Sequence, residues 1–311
     1  MKTIQEALVA HDHLVLDGAF GTEIEKYGCD VNDPLWSAKV LFEDPESVKK
    51  VHQSYYEAGA NIIESSGYQA TIAGFEAKGF SRQEAKDLLA KSVRLAKEAR
   101  QEFLEAHKEN TAPRYVAASV GPYGAFLADG SEYRGDYEAS LEDLVAFHKE
   151  RLAIFAQENP DIFACETVPC LLEAKALVSI LEDKDVSRGI PAWISFSCKD
   201  DKHISSGETM AEVAQYLDGI DAVAAIGINC THPSHVEALI KEIRTVTDKA
   251  IVVYPNTGEL YDPSNKTWHG EGEAFDIYAK SWVAAGATVV GGCCRTAPAN
   301  IARIASWIHE K

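Results

Sequence analysis

The sequence predicts a single (β/α)8 barrel built from residues 1–311, and three observations predict it. Short β-branched or apolar runs recur eight times. Each is followed by Gly, Pro, Asn or Cys and then by a stretch with helical spacing, and no linker or low-complexity tract divides the series. Strands alternating with helices imply right-handed crossovers and a parallel sheet, and eight such units close it into a barrel. A doubly wound open sheet is the structural alternative.

The strand runs, in order, are residues 13–17 (HLVLD), 61–65 (NIIES), 115–120 (YVAASV), 162–166 (IFACE), 192–196 (AWISF), 223–228 (VAAIGI), 251–254 (IVVY) and 288–291 (TVVG). Runs this short and this continuously apolar fit strands buried on both faces. Apolar residues three and four apart mark helices over 45–58, 81–107, 141–157, 171–181, 210–217, 234–246, 275–285 and 298–308. The longest connections, 121–137 and 255–272, carry Gly, Pro, Asp and aromatic residues and read as lids over a pocket.

Composition narrows the partners. The chain is 46% hydrophobic and 25% charged, as in ordinary globular proteins. A net charge of -18 repels phosphate backbones and anionic membranes, so no nucleic acid and no membrane is expected as a partner. No basic start leads into an apolar run, and no stretch approaches the roughly 18 apolar residues of a membrane span. A cytoplasmic protein, monomeric or a loose homodimer, is expected.

Barrel enzymes carry their chemistry at strand C-terminal ends and in the loops beyond. Cys230 follows the sixth strand in GINCTHP, and Cys293 and Cys294 follow the eighth in GGCCRTAP. Only one strand separates the sixth from the eighth, so three thiols converge over one rim. Three soft ligands satisfy zinc and leave one tetrahedral position open, which would take a substrate thiol. Gly291 and Gly292 imply a tight backbone turn that lets neighbouring side chains face one ion. Cys29, Cys165, Cys170 and Cys198 read as buried small hydrophobes. His232 and His235 read as surface or capping residues at a helix start.

Through GINC, GGCCRTAPANI, DGAFGTEIE and CETVP, the sequence resembles the homocysteine S-methyltransferase family over essentially its whole length. The runs DPLWSAKVL, YYEAGANIIESSGYQAT and VVYPNTGELYD are most similar to its stand-alone branch, which uses S-methylmethionine. The resemblance implies a barrel with one zinc held by Cys230, Cys293 and Cys294, and homocysteine as methyl acceptor. It also assigns Asp17 and Glu166, at the ends of the first and fourth strands, to homocysteine binding. As the chain shows no further domain, the donor is expected to dock on the barrel itself.

The remaining site expectations are chemical. Asp17 and Glu166 are ammonium acceptors, unless Asp17 caps a turn and Glu166 pairs with a nearby base. Amides around Gly18, Ala19 and Phe20 are placed to receive the substrate carboxylate. Asn229 and Asn256 are placed to orient ligands, with an Asx turn as the alternative for Asn256. A sulfonium donor, S-methylmethionine or S-adenosylmethionine, gains from aromatic faces such as Trp36, Tyr68, Tyr123, Phe126 and Tyr254, each also placed for packing. The alternative function is a non-catalytic zinc or redox protein using the Cys293–Cys294 pair. An aldolase or decarboxylase would need a Schiff-base lysine or phosphate loop that VVYPNTG and VVGGCC lack.

Overall fold

The computed structural model describes residues 2–10, 12–31, 35–258, 260–262, 267–269 and 275–309. Its strands are β1 (Leu14–Val15), β2 (Ile62–Glu64), β3 (Tyr115–Val120), β4 (Ile162–Val168), β5 (Ala192–Phe196), β6 (Val223–Asn229) and β7 (Ala250–Tyr254). A small antiparallel hairpin follows, β8 (Leu260–Asp262) with β9 (Thr267–His269), and β10 (Val289–Val290) is the eighth barrel strand. All eight expected strands are present. The hairpin, inside the predicted lid 255–272, went unforeseen, and much of that lid lies outside the described residues.

Eight strands pair in parallel in the order β1, β10, β7, β6, β5, β4, β3, β2. The circle closes where Leu16 bridges Ile62, with Asp17 N donating to Ile62 O at 3.0 Å and Asn61 N to Val15 O at 2.7 Å. The sheet is therefore a barrel rather than the doubly wound alternative. Side chains alternate along each strand. On β3, Tyr115 and Ala117 join Leu14, Leu16, Ile62, Ala164, Trp193, Ala225, Val252 and Tyr254 inside the barrel, whereas Val116, Ala118 and Val120 join the larger core under the helices.

The helices begin where side chains satisfy their first amides. Ser81 with Glu84, Ser140 with Asp143 and Thr209 with Glu212 form reciprocal caps on Arg82–Ala106, Leu141–Gln157 and Met210–Asp218. Pro45 and Pro298 occupy first turns, where a missing N–H costs nothing.

One element missing from the sequence reading sets the polarity of the barrel. The helix Ile4–Val9, capped reciprocally by Thr3 and Glu6, buries Ile4, Ala7 and Leu8 in the interior cluster beneath Ala225 and Ala250. Tyr115 ties it down by donating from its hydroxyl to Lys2 O at 2.9 Å. With this end plugged, access to the interior is from the C-terminal rim. Leu8 is 1% exposed, so Leu8→Ala is expected to cost about 2–5 kcal/mol in denaturant unfolding, with homocysteine KM unchanged. A cost below 1 kcal/mol would show that the helix is not a plug.

Candidate active site

The three cysteines reach one point from separate turns. Cys230 leaves β6 with a left-handed backbone, φ 47°, and its amide donates to Tyr254 O at 3.4 Å. Cys293 N donates to Pro255 O at 2.8 Å, and Thr257 N donates to Cys294 O at 3.3 Å. The ends of β6, β7 and β10 are thus laced together by main chain. All three sulfurs lie within 4.8 Å of one another, and those of Cys293 and Cys294 are 3.9 Å apart.

Two sulfurs on a tetrahedral zinc stand about 3.8 Å apart, so the Cys293–Cys294 spacing suits two ligands of one ion. Cys230 and Cys293 approach each other across a Cα–Cα separation of 5.6 Å, so their sulfurs meet at the same point as that of Cys294. Burial pushes the Cys294 thiol up to about 12, with Glu166 and Glu132 adding to the shift. A thiol in this environment keeps its proton until a cation displaces it.

Gly291 and Gly292 serve close approach rather than a special turn, since neither has positive φ. A Cβ on Gly291 would stand 2.6 Å from Leu16 Cβ, and one on Gly292 2.4 Å from Thr296 Cγ2. The left-handed residues here are Cys230 and Arg295, φ 71°.

Below the sulfurs lies a set of buried acids. Asp17 accepts from Glu64 N at 2.9 Å through Oδ2, and its Oδ1 is buried without a partner. Glu166 accepts from the Ser119 hydroxyl. Glu64, which the sequence reading missed, carries a buried, unpartnered Oε1 and is hydrogen-bonded to the Tyr254 side chain. The available signal was an acid in the same inward register as Ile62 within an apolar run. Among the described residues, none of the three forms an ion pair. Burial pushes Asp17 and Glu64 well above the usual carboxylate range, with mutual repulsion adding to it, and burial lifts Glu166 to about 7.

The other expected residues divide. Gly18 is required, since a Cβ there would meet Thr296 Oγ1 at 2.8 Å and the Tyr55 ring at 3.0 Å. The Ala19 amide is already committed to Thr296, at 3.2 Å to its carbonyl and 3.0 Å to its hydroxyl, and so is not open to a carboxylate. Phe20 begins the helix Phe20–Lys26, whose first turn has no side-chain cap. Asn229 is fully buried, accepting from Thr167 N at 2.7 Å and Ser195 Oγ at 2.9 Å, and donating to Thr167 Oγ1 at 2.7 Å. It holds Thr167 in a left-handed conformation, φ 58°, beside Glu166, so its side chain positions that acid rather than reaching toward the thiols.

Tyr254 is interior, bonded to Trp193 Nε1 at 3.0 Å and Ser195 Oγ at 2.6 Å, while Tyr123 and Phe126 pack with Phe147. The side chain of Trp36 lies outside the described residues. Asn256 N donates to Thr231 O at 3.1 Å, and its Oδ1 is buried without a partner. His232 caps the helix Pro233–Arg244, and His235 meets Asp201 at 2.5 Å, both away from metal duty. Burial raises the thiols of Cys29, Cys165, Cys170 and Cys198, as suits inert side chains.

A plugged barrel whose open rim gathers three thiols above unpaired acids defines a thiol-handling enzyme with a place for a metal ion. The homocysteine S-methyltransferase family profile matches residues 14–308. The chain is 49% identical to homocysteine S-methyltransferase YbgG of Bacillus subtilis, covering 100% of this chain and 99% of that protein. It is 49% identical to homocysteine S-methyltransferase 3 of Zea mays, over 97% and 91% of the two chains. The metallated form of the Escherichia coli homocysteine methyltransferase MmuM superposes with a TM-score of 0.85 at 43% identity, covering 95% and 96%. The oxidised form of that enzyme gives 0.87 at 42%, covering 98% and 100%. The chain belongs to the homocysteine S-methyltransferase family, and it is an enzyme that methylates homocysteine.

Glu166 makes stability depend on pH. Folding raises it from an ordinary 4.5 to about 7, so between these values the folded protein keeps a proton that the unfolded chain has released. Its contribution therefore falls as pH rises through that window. Glu166→Gln removes this loss, and calorimetry without substrate should show its Tm advantage growing by roughly 5 °C from pH 5 to pH 8. An advantage equal at both pH values would refute the assignment.

Proposed function

We propose that the metal is zinc, held by Cys230, Cys293 and Cys294, and that the methyl donor is a sulfonium, S-methylmethionine in preference to S-adenosylmethionine. The observation that carries this reading is the convergence of three thiols above acids that, among the described residues, have no cationic partner. An all-sulfur donor set favours zinc over the hard divalent ions. The runs shared with the stand-alone branch favour S-methylmethionine, and the negative mouth favours a cationic donor over an anionic folate.

Cys230, Cys293 and Cys294 would hold such a dication, which when bound would supply the positive charge that keeps homocysteine's sulfur in its nucleophilic thiolate form. Asp17 and Glu166 receive the substrate's ammonium, which supplies the positive charge these acids lack. The uncapped first turn at Phe20 suits its carboxylate. Both ends of the amino acid are then held, and its sulfur points toward Cys230, Cys293 and Cys294. Asn229 keeps Glu166 aimed by fixing Thr167.

In the transfer, an electron pair of the homocysteine sulfur forms the new bond to the methyl carbon. The bond from that carbon to the sulfonium sulfur breaks, and its electrons stay on the donor as a thioether. The thiol proton leaves on binding, so no further base is needed. With S-methylmethionine both products are methionine. Thiolate and sulfonium neutralise each other, so a dry mouth lowers the barrier; the plugged floor and the folded connection after β3 help exclude water.

Metal analysis should find about one zinc per chain, and Cys294→Ser should lose both that zinc and at least about 100-fold in kcat/KM. A variant that keeps full turnover would sink the zinc reading. In parallel assays S-methylmethionine should surpass S-adenosylmethionine, with betaine and methyl folate inactive. Tight zinc binding with no transfer from any donor would favour the non-catalytic alternative.

A further inference from the structure

The connection between β3 and the helix Leu141–Gln157 is built to hold one acid in place. It contains the short helix Tyr123–Leu127 and a 3-10 turn over Ser131–Tyr133. The buried Glu173 is its anchor. Glu173 Oε1 accepts from Tyr123 N at 2.6 Å and meets His148 Nε2 at 2.7 Å, and Oε2 accepts from the Tyr137 hydroxyl. Arg151 donates to His148 Nδ1 at 2.8 Å, so His148 presents its Nε2–H to Glu173, and it also donates to Gly121 O at 2.5 Å.

Within this frame Glu132 is fixed by its main chain. Its carbonyl accepts from Ser197 Oγ at 2.8 Å, beyond the end of β5. A Cβ on Gly124 would lie 2.5 Å from Glu132 N, and one on Gly135 3.0 Å from Pro169 O. The connection therefore folds tightly on itself and onto the end of β4.

Glu132 stands at the thiol rim, since Ser197, which holds its carbonyl, precedes Cys198, whose amide donates at 3.0 Å to Thr231 Oγ1 beside Cys230. Its Oε2 is buried and, among the described residues, accepts no hydrogen bond. The adjacent Arg134 is engaged elsewhere, with Asp136 at 3.1 Å and Asp129 O at 3.1 Å. An unsatisfied buried carboxylate oxygen is costly. Asp17, Glu64 and Glu166 already exceed the single ammonium of homocysteine, so a fourth acid on a separate element calls for a second cation.

We propose that Glu132 receives the α-ammonium of a sulfonium donor that carries an amino-acid end, and sets the enzyme's affinity for that donor. This rests on the sulfonium-donor reading above. The ammonium is the better partner than the sulfonium for a physical reason. Sulfonium charge disappears as the methyl leaves, so an acid paired with it would hold the ground state more tightly than the transition state. Ammonium charge is unchanged by transfer, so pairing with it lowers KM and leaves kcat alone.

The test uses the zinc-loaded full chain as wild type, Glu132→Gln and Glu132→Asp. Two sulfoniums are compared, S-methylmethionine as donor and dimethylsulfoniopropionate, which lacks the amino group, as donor or competitive inhibitor. In Glu132→Gln the KM for S-methylmethionine should rise about tenfold or more. Its kcat, homocysteine KM, zinc content and affinity for dimethylsulfoniopropionate should stay within about threefold of wild type. Glu132→Asp, which keeps the charge, should fall between the two and serves if the Gln variant fails to fold. Equal losses for both sulfoniums, loss of homocysteine affinity, or an unchanged donor KM would overturn the assignment. Failure of the wild type itself to use any sulfonium would instead overturn the donor reading on which it rests.

Discussion

Buried acids that find no counter-ion among the described residues shape the mouth of this barrel. Asp17, Glu64 and Glu166 are drawn inside by strands whose other inward residues are apolar, and three thiols stand above them. Buried charge of this kind is tolerated only when the group stays protonated or a ligand brings the opposite charge. Burial raises both Glu166 and Cys294, which favours their protonated forms until a cation arrives. On the proposed reading, a metal dication and a zwitterionic thiol substrate would each replace those protons, so metal and substrate would relieve one electrostatic cost between them.

Such a site needs rigid walls, because a floppy mouth would let water solvate the acids and relax the demand for a cation. The barrel provides rigidity from below through the plug helix and the interior of Trp193, Tyr115 and Tyr254. Main-chain bonds from Pro255 and Thr257 to the cysteine turn lock β7 to the loop after β10. Glycine at 18, 291 and 292 is needed here for lack of volume, since any Cβ would strike Thr296, Leu16 or Tyr55. Asn229 works in the same sense: by holding Thr167 left-handed it bends β4 just beyond Glu166, where the pairing with β5 shifts register.

Much of this was legible along the chain. The eight strand runs fall on the observed strands because buried parallel strands must be apolar throughout, and their capped helices carry local signals in Ser, Thr, Asp and Pro. The rim positions of Cys230, Cys293, Cys294, Asp17 and Glu166 were readable because each stands at or just beyond the end of a strand run, where barrels of this kind can carry chemistry. Glu64 was not, because an acid inside an apolar run looks like an edge until the inward register is known. The plug helix was missed because six residues are too few for periodicity to speak.

The amino-acid sequence by itself determined the alternation of elements, the rim address of the thiols and the resemblance that names homocysteine as acceptor, since these depend on spacing and residue type alone. Only the tertiary structure decided that the three sulfurs come within 4.8 Å of one another, that the Ala19 amide is spent on Thr296, and that the connection after β3 carries Glu132 onto Ser197 at the end of β5. Those are distances between segments far apart in the chain, set by barrel closure and by how tightly backbones approach.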